Sequence, residues 1–271
     1  MDLTVLAVHA HPDDEVLGTG GAFAHYAAEG VRTVLVTCTD GRQGDAPDGA
    51  KPGEAGHDAD QVALARRAEL DASAAALKIA HVERLGYRDS GMAGWEANHH
   101  PDAFANVSID IAAQQLAALM ERYRPQVVVT YDANGGYGHP DHIQAHRITH
   151  AAATATGIPD KLYHTVVRRS VMADMVAYAT DGAEPTEADL PELGTPDEDV
   201  TTLIDVADQV EVKRKALAAH ASQGDSAFLL GMPADLRRRM FAPESYMLQY
   251  STVPVPERED DLFVGVRALQ G

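Results

Sequence analysis

Histidines and carboxylates are concentrated in two short segments of the chain. They are His9-Ala10-His11-Pro12-Asp13-Asp14-Glu15 and Gly135-Gly136-Tyr137-Gly138-His139-Pro140-Asp141-His142. Carboxylates that lie close together disfavour one another's ionisation, and a bound dication removes that penalty. Imidazole nitrogens and carboxylate oxygens are also suitable zinc ligands. Both segments are therefore candidates for a metal site.

Apolar, β-branched runs predict five buried strands, and two of these strands end directly before the histidine-rich segments. The predicted strands are 3–8, 31–38, 82–85, 127–131 and 162–167, with clear helices at 61–78 and 109–123. Alternating strands and helices predict an α/β fold, a Rossmann-like, doubly wound and mostly parallel sheet. The ligand site of such a sheet lies beyond the carboxyl ends of the strands, where the strand order reverses.

The first and fourth strands flank that reversal, so the two segments are expected to meet there. His11, Asp14 and His142 can then share one metal ion. Two histidines and one carboxylate, with an open position for water, form the pattern of a catalytic zinc site. Asp13 or Asp14 alone has an alternative role as the N-cap of the following helix. That alternative explains neither His11 nor the second aspartate.

The alternation of strands and helices weakens after about residue 168, which predicts a division of the chain. Residues 1–170 are expected to form the Rossmann-like catalytic core, and residues 171–271 a smaller C-terminal lobe or cap that is continuous with it. A helix near 207–219 and a strand near 247–253 are predicted in that lobe. Its acidic segment, 181–199, is predicted to be a solvated face.

Both histidine-rich segments resemble the paired motifs of the PIG-L-like zinc deacetylases, which remove N-acetyl groups from glucosamine conjugates. Within that superfamily the chain is most similar to the mycothiol branch, which contains the N-acetylglucosaminyl-inositol deacetylase and the mycothiol S-conjugate amidase. Three further motifs match, at 66–70, 88–94 and 213–223. The resemblance therefore spans about residues 3–223.

The resemblance implies a zinc ion held by His11, Asp14 and His142, with iron(II) as the alternative metal. It also implies that Asp13 is the general base. Asp13 is next to a ligand in the chain, so its carboxylate can reach water whose pKa the metal lowers towards about 7.

The second segment supplies the remaining catalytic roles that the resemblance implies. Tyr137 is the hydrogen-bond donor to the tetrahedral oxyanion, and its alternative role is only to pack its loop. His139 is the general acid that protonates the leaving amine, and Asp141 holds its imidazolium form.

Substrate-binding residues are implied by the resemblance alone. Arg66 and Asp89 resemble the sugar-binding pair of the family, and without the resemblance each would be interpreted as part of an ordinary surface ion pair. His220, on a predicted helix, is expected to contribute to the same site.

The implied activity is zinc-dependent hydrolysis of an amide bond, namely N-deacetylation of an N-acetylglucosamine-type conjugate. A conjugate amidase of the mycothiol type is the main alternative, because Gly18 stands where the two branches differ. A metallophosphoesterase is a weaker alternative, since it would need a second metal and basic residues for phosphate. Two further alternatives are a nucleotide-binding protein and a catalytically silent binding protein.

Charge and composition restrict the partners. The 22 Lys and Arg against 41 Asp and Glu give a net charge of −19, which repels nucleic acid and anionic membrane surfaces. The chain contains a single cysteine and no run of about 18 apolar residues, and its first residues do not resemble an export signal. We therefore expect a cytoplasmic protein with a small-molecule sugar-amide substrate, and the sequence leaves its oligomeric state open.

Overall fold

The computed structural model describes residues 3–180 and 194–270, which form a seven-stranded sheet flanked by helices. The strand order is β3-β2-β1-β4-β5-β7-β6, and β1 to β5 are parallel, whereas β7 is antiparallel to both β5 and β6. The strands are β1 (Thr4–His9), β2 (Arg32–Thr39), β3 (His81–Tyr87), β4 (Val127–Thr130), β5 (Lys161–Val166), β6 (Thr202–Ile204) and β7 (Glu244–Ser251). The predicted α/β fold with a mostly parallel sheet is confirmed.

Helices connect the strands and continue through the C-terminal part of the chain. They are α1 (Asp14–Gly18), α2 (Gly20–Ala28), α3 (Ala59–Ala76), α4 (Ile109–Tyr123), α5 (Gly135–Gly138), α6 (Pro140–Thr156), α7 (Arg169–Ala179), α8 (Val210–Ala219), α9 (Gly224–Gly231) and α10 (Ala234–Phe241). Local sequence sets several of their ends. The Asp58 carboxylate accepts hydrogen bonds from the first turn of α3. Helix α4 ends at Tyr123, and its C-cap residue Arg124 directly precedes Pro125.

The side chains of β1 alternate between two apolar layers, one on each face of the sheet. Leu6 and Val8 pack on one face with residues from α4 and α6. Val5 and Ala7 pack on the other face with residues from α2 and from the C-terminal segment, such as Phe263. Because both faces are covered, β1 and β4 are buried and their carboxyl ends are fixed side by side.

The C-terminal part of the chain extends the same sheet, through β6 and β7, and places α8 against α2 and α3. Its predicted helix and strand are present, while the division of the chain at residue 170 stays a prediction. Most of the acidic segment predicted as a solvated face, 181–193, lies outside the described residues. In the remainder, Asp197 forms an ion pair with Arg168 at 3.3 Å. No helix among the described residues is long and apolar enough to span a membrane.

Candidate metal and active site

The two histidine-rich segments meet at the edge of the sheet where β1 and β4 end. His11 and Asp14 lie at the turn from β1 into α1, and His142 lies in the first turn of α6. Nδ1 of His11 is 3.3 Å from Oδ2 of Asp14 and 3.3 Å from Nε2 of His142, and the last two atoms are 3.5 Å apart. The reversal of strand order thus brings together residues that are about 130 positions apart in the chain.

These three atoms have the spacing of metal ligands. A tetrahedral ion with bonds of about 2.0–2.2 Å holds its ligand atoms about 3.3–3.6 Å apart, which is the range observed here. The donor set of two imidazoles and one carboxylate suits zinc and leaves a fourth position open. The residues present therefore fit the ion that the sequence predicted.

Outer hydrogen bonds leave the correct ring nitrogens free for a metal. Nε2 of His11 donates to Oδ2 of Asp141 at 3.2 Å, and Nδ1 of His142 donates to the carbonyl oxygen of Gly135 at 3.1 Å. Since these acceptors carry no proton to donate, the lone pairs lie on Nδ1 of His11 and Nε2 of His142, the two atoms that face Asp14. Such outer partners orient ligating histidines in metal sites.

Gly135 has to be a glycine for this arrangement. Its φ of 64° lies in the left-handed region, and a Cβ atom there would be 2.6 Å from the Cβ of His142 and 2.8 Å from the backbone nitrogen of Ile143. The close approach of the turn to α6 puts the Gly135 carbonyl within reach of the ring of His142.

Asp14 is held as an ionised acceptor. Its Oδ2 accepts hydrogen bonds from the backbone N–H of His11 at 2.8 Å and from the hydroxyl of Tyr131 at 2.7 Å. Burial alone would raise the pKa of Asp14, but the charge and hydrogen bonds of His142 and His11 lower this pKa well below its usual value.

Asp13 has a strained backbone and a different set of contacts. Its φ is 118°, a conformation that is rare for a residue with a side chain and that recurs at functional sites. The carboxylate makes no N-cap hydrogen bond to α1 and instead pairs with Nη2 of Arg66 at 2.7 Å. Burial raises the pKa of Asp13 to about 6, against the opposing effect of the guanidinium. The N-cap alternative therefore does not describe Asp13.

Arg66 is buried and stabilises the strained turn that carries Asp13. Its buried guanidinium donates to the carbonyl oxygen of Pro12 at 2.5 Å and to that of Gly41 at 2.7 Å, in addition to Asp13. A surface ion pair, the alternative from sequence, is excluded by this burial.

Asp89 lies near the ring nitrogen of His11 that does not face Asp14. Its Oδ1 is 3.6 Å from Nε2 of His11. It accepts backbone hydrogen bonds from Gln43 and Gly91 at 3.0 and 2.8 Å. Burial would raise the pKa of Asp89, but the imidazole of His11 lowers it below the usual value. Sugar binding by Arg66 and Asp89 stays a prediction, and the partners just described already hold both side chains.

The structure corrects the partner predicted for Asp141. Its carboxylate accepts hydrogen bonds from His11 and from the backbone N–H of Ser90, at 3.2 and 2.9 Å, and is not seen to bond His139. Its own backbone N–H donates to Nδ1 of His139 at 3.1 Å. Since a backbone N–H can only donate, His139 is held with its proton on Nε2. Burial, together with the rings of His11 and His142, lowers the pKa of His139 to about 3, so the imidazolium form is disfavoured.

Tyr137 lies on the glycine-rich turn α5, above the metal-ligand atoms. Gly136 and Gly138 on either side of it have φ values of 73° and 87°. The ring is 64% exposed, and its centroid is 5.1 Å from that of His142, edge to face. Exposure at this position contradicts a role confined to packing the loop and leaves the hydroxyl accessible to a ligand.

His220 is fully buried, and its contribution to substrate binding stays a prediction. Its Nε2 lies 2.8 Å from Oε1 of Glu15, and the other carboxylate oxygen of Glu15 accepts the backbone N–H of Asp13 at 2.9 Å. Ser73 donates a further hydrogen bond to Glu15 at 2.5 Å. His220 on the end of α8 therefore helps to position the turn that carries Asp13.

Comparison with known proteins decides the family. The sequence profile of the PIG-L family, described as GlcNAc-PI de-N-acetylase, matches residues 6–153. A deacetylase of 1D-myo-inositol 2-acetamido-2-deoxy-α-D-glucopyranoside from Acidothermus cellulolyticus is 43% identical, over 98% of this chain and 96% of its own. The deacetylase of the same name from Rhodococcus erythropolis is 41% identical over 97% and 98%. This chain belongs to the PIG-L family. The sequence-based resemblance and the prediction of an amide-hydrolysing enzyme are confirmed.

Solved structures show the PIG-L fold at low sequence identity. The N,N'-diacetylchitobiose deacetylase of Pyrococcus horikoshii superimposes with a TM-score of 0.58 at 19% identity, covering 91% of this chain and 83% of that one. The 4-carboxy-2-hydroxymuconate hydratase GalB of Pseudomonas putida gives 0.60 at 18% identity, covering 94% and 99%. Because a hydratase shares the fold, function has to be argued from the site.

Sequence reasoning missed three residues of this PIG-L site. Tyr131 bonds Asp14 and stacks on His142 with ring centroids 4.1 Å apart. Ser90 holds Asp141, and Glu15 links Asp13 to α8. The available signals were the position of Tyr131 directly after β4 and the position of Ser90 inside a motif that matches the family.

Proposed function

We propose that this chain is a zinc-dependent N-deacetylase whose substrate is a small glucosamine conjugate, 1D-myo-inositol 2-acetamido-2-deoxy-α-D-glucopyranoside. The observation that carries the proposal is the tetrahedral spacing of the His11, Asp14 and His142 atoms beside Asp13. The relatives that act on this glycoside, by their names, match nearly the whole chain at about 40% identity, which supports the substrate.

Zinc, when bound, supplies a positive centre that polarises the amide carbonyl and acidifies water. Asp13 takes the proton of the attacking water, because it is ionised above its pKa of about 6 and remains partly exposed. Arg66 holds the carboxylate in place. A catalytic group that is already held in position needs no reorganisation during the reaction, and the ion pair with Arg66 holds Asp13 in this way.

His139 acts as a neutral hydrogen-bond donor in this proposal. Its Nδ1 already accepts the backbone N–H of Asp141, so its Nε2–H is the group available to the developing oxyanion. The exposed hydroxyl of Tyr137 is a second donor. Asp13, protonated after it activates water, is then the better carrier of the proton that the leaving amine requires. This division of roles replaces the imidazolium acid expected from the sequence.

The deciding experiment is an amine-release assay with the purified, zinc-loaded enzyme. We expect 1D-myo-inositol 2-acetamido-2-deoxy-α-D-glucopyranoside to give equal amounts of free amine and acetate. His25→Ala, a control at a partly exposed histidine of α2, should be equally active. Cleavage of a mycothiol S-conjugate amide without release of acetate from the glycoside would instead establish the conjugate amidase. No turnover of either amide would contradict the proposal.

The proposal places the enzyme in the cytoplasm. Its single cysteine, Cys38, is buried and cannot form a disulfide within the chain, which is typical of proteins from a reducing compartment.

A further inference from the structure

A second group of histidines lies outside the site described above. One ring nitrogen from each of His146, His150 and His164 lies within 4.8 Å of the other two. His146 and His150 are one turn apart on α6, and His164 lies on β5, paired in register with Thr130 at the end of β4. None of these three residues belongs to the catalytic group, although α6 carries ligands for both.

The positions of these rings favour chelation of a metal. Two histidines at i and i+4 face the same side of a helix and can bind one zinc ion together. His164 approaches from the neighbouring strand, with its Nε2 at 2.8 Å from Nε2 of His150. A small outward movement of these two rings would give the spacing of tetrahedral ligands, which is about 3.3–3.6 Å. Three histidines and an open fourth position make a known type of zinc site.

Hydrogen bonding prepares His146 as a ligand. Its Nδ1 donates to the carbonyl oxygen of Tyr131 at 3.0 Å, so the lone pair lies on Nε2. The same kind of outer bond orients the histidines of the catalytic group. The ring centroids of His146 and His150 are 4.3 Å apart, and those of His146 and His164 are 5.0 Å apart.

Two of these rings have lowered pKa values, and two of them reach solvent. Burial and the proximity of the other two rings lower the pKa of His164 to about 3, and burial together with the ring of His146 lowers the pKa of His150. Neutral imidazole is the form that binds metals. Among the described residues, no carboxylate forms an ion pair with these three rings. His146 and His150 are half-buried, which leaves a route for an ion from solvent.

We propose that His146, His150 and His164 form a second, mononuclear site for a divalent metal ion, separate from the catalytic one. The all-imidazole donor set selects Zn²⁺, Ni²⁺ or Cu²⁺ over Mg²⁺ and Ca²⁺, which require oxygen ligands. The net charge of −19 raises the local concentration of any cation. The alternative is that the three rings only hydrogen-bond to one another and to Tyr131.

The site is coupled to the catalytic centre through Tyr131. Its carbonyl oxygen accepts the hydrogen bond from His146, while its ring stacks on His142 and its hydroxyl bonds Asp14. An ion that fixes His146 therefore also restrains the residue that holds two catalytic ligands. We expect the second ion to raise the thermal midpoint of the full-length protein.

Equilibrium dialysis of the metal-free, full-length protein against Zn²⁺ tests the proposal. We expect two bound equivalents for the parent chain and one for His150→Gln, which keeps a hydrogen-bonding side chain. His146→Gln should also bind one, while His25→Ala, a control at a partly exposed histidine, should bind two. The first equivalent should still support deacetylation in His150→Gln, because His150 makes no hydrogen bond to Tyr131.

A second probe removes the catalytic site instead. His142→Ala should still bind one equivalent of Co²⁺ with the visible absorption of a four-coordinate ion, and this absorption should vanish when His150→Gln is added. Circular dichroism confirms that each variant is folded. A parent chain that binds a single equivalent of Zn²⁺ would overturn the proposal. So would a second equivalent that survives either Gln substitution, or one that Mg²⁺ fills equally well.

Discussion

We propose different tasks for the two adjacent aspartates of this site, and their contacts differ accordingly. Asp14 accepts hydrogen bonds from the backbone of His11 and from Tyr131 and faces both histidine ligands, whereas Asp13 pairs with Arg66 on a strained backbone. The sequence identified both residues through a family resemblance. Composition alone could not separate them, because the difference arises from the direction of each side chain.

Replacement of the two aspartates by asparagine separates these tasks. Asp13→Asn should keep the metal and lose about 10²–10⁴-fold in turnover, since an amide cannot accept the proton of water. Asparagine tolerates a positive φ, so the backbone should persist. Asp14→Asn should instead weaken metal binding, because it alters a metal ligand. Metal analysis and amine release measure both effects, and equal metal loss in the two variants would contradict this division.

The pH dependence distinguishes a neutral His139 from an imidazolium acid. Since Asp13 must be ionised, kcat/KM should be retained above its pKa and lost as the pH falls; a bound dication places this limb at or below about pH 6. His139→Gln keeps an N–H donor and should lower kcat without altering the alkaline side of the profile. An alkaline limb present in the parent and absent in His139→Gln would restore His139 as the acid.

At the scale of elements, most strands and helices could be predicted from the sequence. The helix at 109–123 has the predicted bounds, β1, β2 and β5 differ by one residue at each end, and β4 ends one residue earlier than predicted. No sequence pattern predicted β6, which has three residues, or its antiparallel pairing with β7. Pairing between distant segments depends on packing that local periodicity does not contain. The partner of Asp141 was missed for the same reason.

A pair of glycines tests how the turn before α6 positions a ligand. Gly135→Ala and Gly157→Ala both place a side chain at positive φ, 64° and 58°, and should each cost about 1–2 kcal/mol of stability. Only at Gly135 would the new Cβ meet His142. We therefore expect zinc affinity to fall in Gly135→Ala and to be unchanged in Gly157→Ala. Thermal unfolding measures the two stabilities, and zinc titration measures the two affinities. Equal zinc affinities in Gly135→Ala and Gly157→Ala would refute the role of this turn.

At the scale of the whole molecule, the C-terminal segment is joined to the core by a buried ion pair. Lys213 on α8 lies 2.6 Å from Glu244 on β7, and this carboxylate also accepts the backbone N–H groups of Gly21 and Ala22 at the start of α2. The same helix ends in His220, behind the turn of Asp13. The catalytic turn therefore depends on residues from both parts of the chain.

Breaking this pair should destabilise the whole protein. Lys213→Met leaves Glu244 buried without its cation and should cost about 3–5 kcal/mol. Its neighbour Arg214 pairs with Glu211 at the surface, so Arg214→Met should cost no more than about 1 kcal/mol. Urea unfolding monitored by circular dichroism measures both free energies. Similar values for the two variants would show that the segment folds independently of this contact.

The central claim is that His11, Asp14 and His142 hold the metal on which amide hydrolysis depends. Its most direct test is zinc stoichiometry and amine release, measured together on the parent chain and on His142→Ala. We expect His142→Ala to remain folded, to bind one equivalent of zinc fewer than the parent, and to release no amine when zinc is restored. A His142→Ala variant that binds as much zinc as the parent, or that hydrolyses the amide at the parent rate, would contradict the account.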